Sequence, residues 1–186
     1  MLNGVLWFWA PERNGGSCRR STLPVRHAHR RFQQWVCSGI LEQALRLLAE
    51  WLRAEGRLNL EEAFIDATFA AAKKGGLGIG PTKRSKGTNI TAISAGDSLP
   101  IAVNVQAAPS ETQLVEEALG NSFLDQLPAR LIGDKAYDND PLDHHLRTQY
   151  EIEMIAPHRG ERKCPTQDGR ALRRYRRRWT VKRLFA

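Results

Sequence analysis

The 186-residue chain predicts an α/β domain built on a mixed five-stranded sheet flanked by helices, and three observations lead there. Five short apolar or β-branched runs are interleaved with helical periodicity in the order strand, hairpin, helix, strand, helix, strand, helix. Hydrophobic residues at 41% and charged residues at 26% are those of an ordinary globular chain, which excludes wholesale disorder and a disulfide miniprotein. No apolar run approaches the ~20 residues needed to cross a bilayer, and the basic start and cleavage site of a leader are missing, so a cytoplasmic protein is expected.

Residues 1–35 take no element: Trp7, Phe8 and Trp9 are adjacent, Asn14-Gly15-Gly16-Ser17 breaks any run, and the basic stretch to Arg31 shows no apolar stripe. In 40–52 the residues Ile40, Leu41, Ala44, Leu45, Leu48, Trp51 and Leu52 recur at helical spacing and Gly56 supplies a stop; the stripe is expected in the core. Residues 63–69 read as a strand with Asp66 in its middle, and the Lys-Gly-rich stretch 73–81 as a loop. Runs 89–95 and 100–106 flank Gly96-Asp97-Ser98 as a hairpin. Ser110 caps a helix over 111–119, residues 130–134 form a buried strand ending in Asp134, 141–149 a helix, and 151–156 the fifth strand. Asp168 caps a last helix on which Leu172, Tyr175, Trp179 and Lys182 share one inward face. The domains are thus a helical, candidate DNA-binding region at 1–58 and a core at 59–186.

Charge is segregated along the chain. Net charges of +6, −7 and +9 fall on residues 1–110, 111–153 and 154–186, which suits a protein that holds a polyanion while keeping a carboxylate-rich site for a cation. Cys18, Cys37 and Cys164 are odd in number and widely spaced, offering neither a disulfide framework nor a zinc clip, and are expected reduced and structural. His27, His29, His144 and His145 lack accompanying zinc ligands and read as surface residues. The glycines at 75–78 do not open a helix with Gly-Lys-Ser/Thr and are no phosphate loop.

Two aspartates on strand segments stand out, because a carboxylate buried in an apolar run needs a partner. One alone is most simply a structural hydrogen bond or salt bridge. Asp66 and Asp134 together can converge on a divalent cation if their strands are neighbours, since hard cations take carboxylate oxygens. Lys83, Arg84 and Lys86 either grip phosphate or form a solvated loop, and the arginine run from Arg173 to Arg178, with Tyr175 and Trp179, either contacts DNA or is a solvated face.

Three stretches carry a family resemblance: Phe64-Ile65-Asp66-Ala67-Thr68; Leu131-Ile132-Gly133-Asp134-Lys135-Ala136-Tyr137-Asp138; and Arg174-Tyr175-Arg176-Arg177-Arg178-Trp179-Thr180-Val181 with Arg183-Leu184-Phe185-Ala186. They resemble bacterial insertion-sequence-5-type transposases, DDE enzymes with a ribonuclease-H-like core. The resemblance implies Mg²⁺- or Mn²⁺-dependent DNA cleavage and strand transfer at element ends, with Asp66 and Asp134 as metal ligands. It further implies DNA contacts at Lys83, Arg84, Lys86, Tyr175 and Arg178, a nucleoid-associated location, and assembly as a homo-oligomer or with an intact transposase. In the signature Tyr-two-Arg-three-Glu-six-Lys, Tyr175 and Arg178 match, Lys182 stands at the glutamate, and the lysine falls beyond Ala186. A lysine ammonium ~4 Å from a site cation is repelled by about 4 kcal/mol at an effective dielectric near 20, so a truncated, catalytically impaired copy is expected. Residues 8–29 also depart from the family pattern. A non-catalytic DNA-binding remnant and a ribonuclease-H-like nuclease are the other readings.

Overall fold

The computed structural model describes residues 25–72, 79–81, 86–107, 111–162, 169 and 171–185. Contacts divide the chain into two units, Met1–Leu48 and Ala49–Ala186.

Helix α1 (Val25–Cys37), in the first unit, leads through Ser38 and Gly39 into α2 (Ile40–Ala54), which runs past the unit boundary, with Gly39 at φ +71°. Residues 25–35, which show no clear apolar stripe in sequence, do carry Ala28, Phe32 and Trp35 at steps of four and three, a thin stripe hidden among arginines and histidines. Helix α2 stops as expected: Gly56 has φ +64°, its N–H donates to the Arg53 carbonyl, and the Arg57 N–H donates to the Leu52 carbonyl. Its apolar stripe is not core, however. Only Ala49 of α2 is buried, and Ile40, Leu45, Leu48 and Trp51 are exposed. Periodicity identifies an apolar face but not what that face meets. Cys37 is a free, exposed thiol.

The second unit is organised by β1 (Ala63–Ala71), which pairs antiparallel with β3 (Lys86–Ala95) on one edge and parallel with β5 (Arg130–Ile132) on the other. β3 continues antiparallel to β4 (Pro100–Gln106) and to the two-residue β2 (Gly80–Pro81), while β6 (Glu153–Ile155) lies parallel to β5. The five longer strands thus run β4-β3-β1-β5-β6, the mixed five-stranded sheet the sequence predicts. The hairpin forms at the expected turn, where Ser98 takes φ 68° and the Asp97 carboxylate accepts from the Asn59 N–H at 2.8 Å.

Alternation along β1 sorts its side chains onto two faces. Ala63 and Ile65 join Ile93, Val115, Leu119, Leu142 and Leu146 beneath α3 (Glu111–Gly120) and α4 (Asp140–Tyr150). Phe64 joins Ile132, Ile155 and Val181 on the opposite face. Burying side chains of this kind contributes about 1.5–3 kcal/mol each, which fixes β1 and β5 in the middle of the unit. Helix α4 starts at Asn139, whose side chain accepts from the Leu142 N–H, and ends at Glu151 in the left-handed conformation.

The C-terminal element departs from its expected form. Ala171–Arg177 is a 3₁₀ segment, followed by one short helix, α5 (Trp179–Lys182). Thr180 and Val181 are its buried residues, whereas Trp179 and Lys182, placed inward by α-helical spacing, are exposed. A 3₁₀ turn advances about 120° per residue against 100° in an α-helix, so seven such residues rotate the phase of α5 by roughly 140°. The helix caps expected at Ser110 and Asp168 lie outside the described residues, as do Cys18, Cys164, Lys83, Arg84 and the glycines at 75–78.

Candidate functional site

Asp66 shares the face of β1 that carries Phe64, the face packed by Val181. The parallel register sets Ala63 against Leu131 and Phe64 against Ile132, and carried two residues on it sets Asp66 against Asp134. Asp134 lies just past β5 and caps the 3₁₀ turn Lys135–Tyr137: its Oδ1 accepts from the Ala136 N–H at 2.9 Å, which leaves Oδ2 to face sideways. Residue 133 is a glycine on which Met154 and Tyr137 close in. A Cβ there would lie 2.6 Å from both Met154 Cε and the Tyr137 ring.

One nitrogen reaches both carboxylates. Arg178 Nη2 lies 3.3 Å from Asp66 Oδ1 and 3.7 Å from Asp134 Oδ2, with Asp66 and Arg178 nearly buried at 14% and 13% side-chain exposure. Arg178 Nη1 also donates to the Tyr175 hydroxyl at 2.7 Å, but its Nε is buried with no hydrogen-bond partner among the described residues. Beside the pair lies a cavity of ≈ 270 Å³ lined by Asp66, Asn89, Leu114, Asp134 and Tyr137 among others. Upstream of Arg178, Arg174 and Arg177 both pair with Glu62, a buried carboxylate one residue before β1; the Arg174 Nε contact is 2.5 Å. Sequence reasoning missed Glu62, although an acidic residue abutting an apolar strand was a visible signal.

A second charged network surrounds the same turn. The Asp138 carboxylate accepts from the Arg159 N–H at 2.7 Å and from Arg162 Nη1 at 2.5 Å, and lies 3.0 Å from His158 Nδ1. Arg159 also donates to the carbonyls of Lys135 and Ala136, and Arg162 to Asp140, so this network clamps the turn that carries Asp134. Burial works against the Asp138 anion, but the Arg159 N–H, His158 and Arg162 outweigh it and hold its pKa below the ordinary value. Asp143 goes the other way: burial first, then the charges of Asp140 and Asp138, push its pKa up to about 6.

The structure therefore brings together Asp66, Asp134, Tyr175 and Arg178 among the residues singled out from sequence. Lys182 is exposed one helical turn beyond Arg178, and Lys86 is exposed at the start of β3. Among the described residues no three of His, Cys, Asp and Glu converge, so the site has two carboxylates and no third. Two suffice in kind for Mg²⁺, which binds through one or two carboxylates and keeps water and phosphate as its other ligands. A guanidinium nitrogen lies between the two carboxylates.

Residues 59–186, more than half of the chain, match the family described as transposase DDE domain. No curated protein sequence matches. Among solved structures, a piggyBac transposase synaptic complex with hairpin DNA overlaps 57% of this chain and 25% of its own, at 13% identity and a TM-score of 0.45. An HTLV-2 integrase catalytic core in complex with magnesium overlaps 54% of this chain and 63% of its own, at 16% identity and TM-score 0.41. A simian T-cell lymphotropic virus intasome overlaps 64% and 38%, at 15% identity and TM-score 0.40. The chain thus spans less than two thirds of each of these proteins. Among the described residues no helix is long and apolar enough to cross a membrane.

Proposed function

The chain belongs to the transposase DDE domain family, and from that membership we propose that it acts on DNA at the ends of an insertion sequence of the insertion-sequence-5 type, as a strand-cleaving and strand-transferring protein whose catalysis is impaired in this copy. The observation that carries the reading is the reach of one guanidinium nitrogen to two carboxylates on adjacent parallel strands. Asp66 and Asp134 would hold the Mg²⁺ or Mn²⁺ ion. When bound, such an ion polarises a phosphodiester and lowers the pKa of an attacking water.

The chain's own residues do the positioning. The β1 backbone fixes Asp66, the Ala136 N–H orients Asp134, and the cavity beside them gives access to a phosphodiester. The basic C-terminal stretch and the N-terminal region at 1–58 supply phosphate contacts, with Arg173 and Arg176 exposed while Arg174, Arg177 and Arg178 spend their charge on carboxylates. Lys182, at the family's glutamate position, leaves the carboxylate set incomplete. That favours a DNA-binding protein of low catalytic power, working in the bacterial cytoplasm as a homo-oligomer or beside an intact copy.

The test is nicking of DNA carrying terminal inverted repeats, in Mg²⁺ and in Mn²⁺. Weak nicking that Asp66→Asn abolishes is expected. Nicking as efficient as that of an intact transposase contradicts the impairment, and nicking that survives Asp66→Asn contradicts the site. DNA binding should weaken steeply with salt, because phosphate neutralisation releases counterions; a flat salt dependence contradicts the DNA reading.

A further inference from the structure

We infer that Arg178 is the resting occupant of the cation position, held there through Glu62, and that a divalent ion binds only by displacing it. The inference rests on the reading of Asp66 and Asp134 as a metal site, and goes beyond it by naming an intramolecular competitor.

The geometry of Arg178 is that of a group held by charge more than by hydrogen bonds. Its Nη2 is shared between two carboxylate oxygens at 3.3 and 3.7 Å, and its Nε is buried without a partner among the described residues. A guanidinium normally satisfies carboxylate with short, parallel N–H···O bonds, so this arrangement leaves binding capacity unused on both sides. Neither aspartate has another cationic partner among the described residues. Displacing the guanidinium would therefore leave both carboxylates facing an ion, while Arg178 keeps its Tyr175 contact as an alternative anchor.

Glu62 explains why Arg178 sits there. Its buried carboxylate pairs with Arg174 and Arg177 of the 3₁₀ segment, and residue 178 comes directly after. Arg177 also lies over the Phe64 ring at 5.8 Å, tying the segment to the strand that carries Asp66. Glu62 is thus a positioning residue, acting on the site through the arginine segment and not by touching it.

The experiment is Mn²⁺ binding to the full chain, read by calorimetry and by the electron paramagnetic resonance signal of free Mn²⁺, with circular dichroism confirming the fold of each variant. Removing a unit positive charge at about 4 Å from the carboxylates should tighten Mn²⁺ binding by roughly ten-fold or more in Arg178→Gln. Glu62→Gln should shift affinity the same way by a smaller factor, and Asp66→Asn combined with Arg178→Gln should lose the gain. Unchanged affinity in Arg178→Gln, with binding still dependent on Asp66, overturns the competition and leaves the metal site standing. Binding indifferent to Asp66, or absent from both the parent chain and Arg178→Gln, overturns the metal site and the competition together.

Discussion

Two clusters of carboxylates and arginines lie on either side of the turn after β5, and they are built differently. Around Asp138, each contact is short: Arg162 at 2.5 Å, the Arg159 N–H at 2.7 Å and His158 at 3.0 Å, on a side chain only 4% exposed. Between Asp66 and Asp134, one nitrogen spans two acceptors at 3.3 and 3.7 Å, and a cavity opens beside them. The first cluster has its hydrogen-bonding capacity filled and serves as a clamp. The second has capacity in reserve. Charge density alone therefore does not mark a site; unfilled geometry next to open space does.

The contrast breaks most visibly at Asp138. Asp138→Ala leaves His158 and Arg162 without their common acceptor and frees the turn, and should cost about 3–5 kcal/mol in denaturant unfolding. Asp66→Asn, by comparison, should cost less, about 1–2 kcal/mol, since Asp134 still faces Arg178. Equal losses in the two variants would erase the distinction between clamp and site.

Gly133→Ala tests the joint between the two clusters. Its Cβ must push Met154 and the Tyr137 ring aside, at a cost of about 1–3 kcal/mol, and should weaken Mn²⁺ binding by moving Asp134.

The smallest effect concerns pH. Asp143, with a folded pKa of about 6 against an ordinary 3.8, contributes stability that is fully present below 3.8 and is lost as pH rises through 6. Asp138, whose pKa is lowered, contributes stability that is present above 3.8 and is lost as pH falls. The clamp should hold best near pH 4 and weaken as pH rises to 6, and Asp143→Asn should gain roughly 1–2 kcal/mol at pH 7 and flatten that fall. Thermal melts from pH 2 to pH 8 check both signs.

How much of the fold and site is legible in the sequence depends on the range over which each feature is encoded. The strands are legible because alternation and β-branching are local, and Asp66 and Asp134 because an anion inside an apolar run is locally anomalous. The pairing of β1 with β5 comes from the family's arrangement, not from periodicity. Helix α1 escapes a periodicity reading because its stripe is thin among basic residues. The C-terminal face is rotated from its expected direction because a 3₁₀ segment changes the phase, which spacing cannot reveal. The Asp138 clamp and the Glu62 anchor join residues 20 to 115 positions apart, and such pairings leave no local trace.

The central claim is that Asp66 and Asp134 hold one cation position, which Arg178 fills at rest. The most direct measurement is a crystal structure of the chain grown with Mn²⁺, with anomalous difference density used to locate the metal. The expected result is a single strong peak coordinated by Asp66 and Asp134, with the Arg178 guanidinium moved away from both. A structure with Arg178 still bridging the two aspartates, and the metal elsewhere or unbound at saturating concentration, would contradict it.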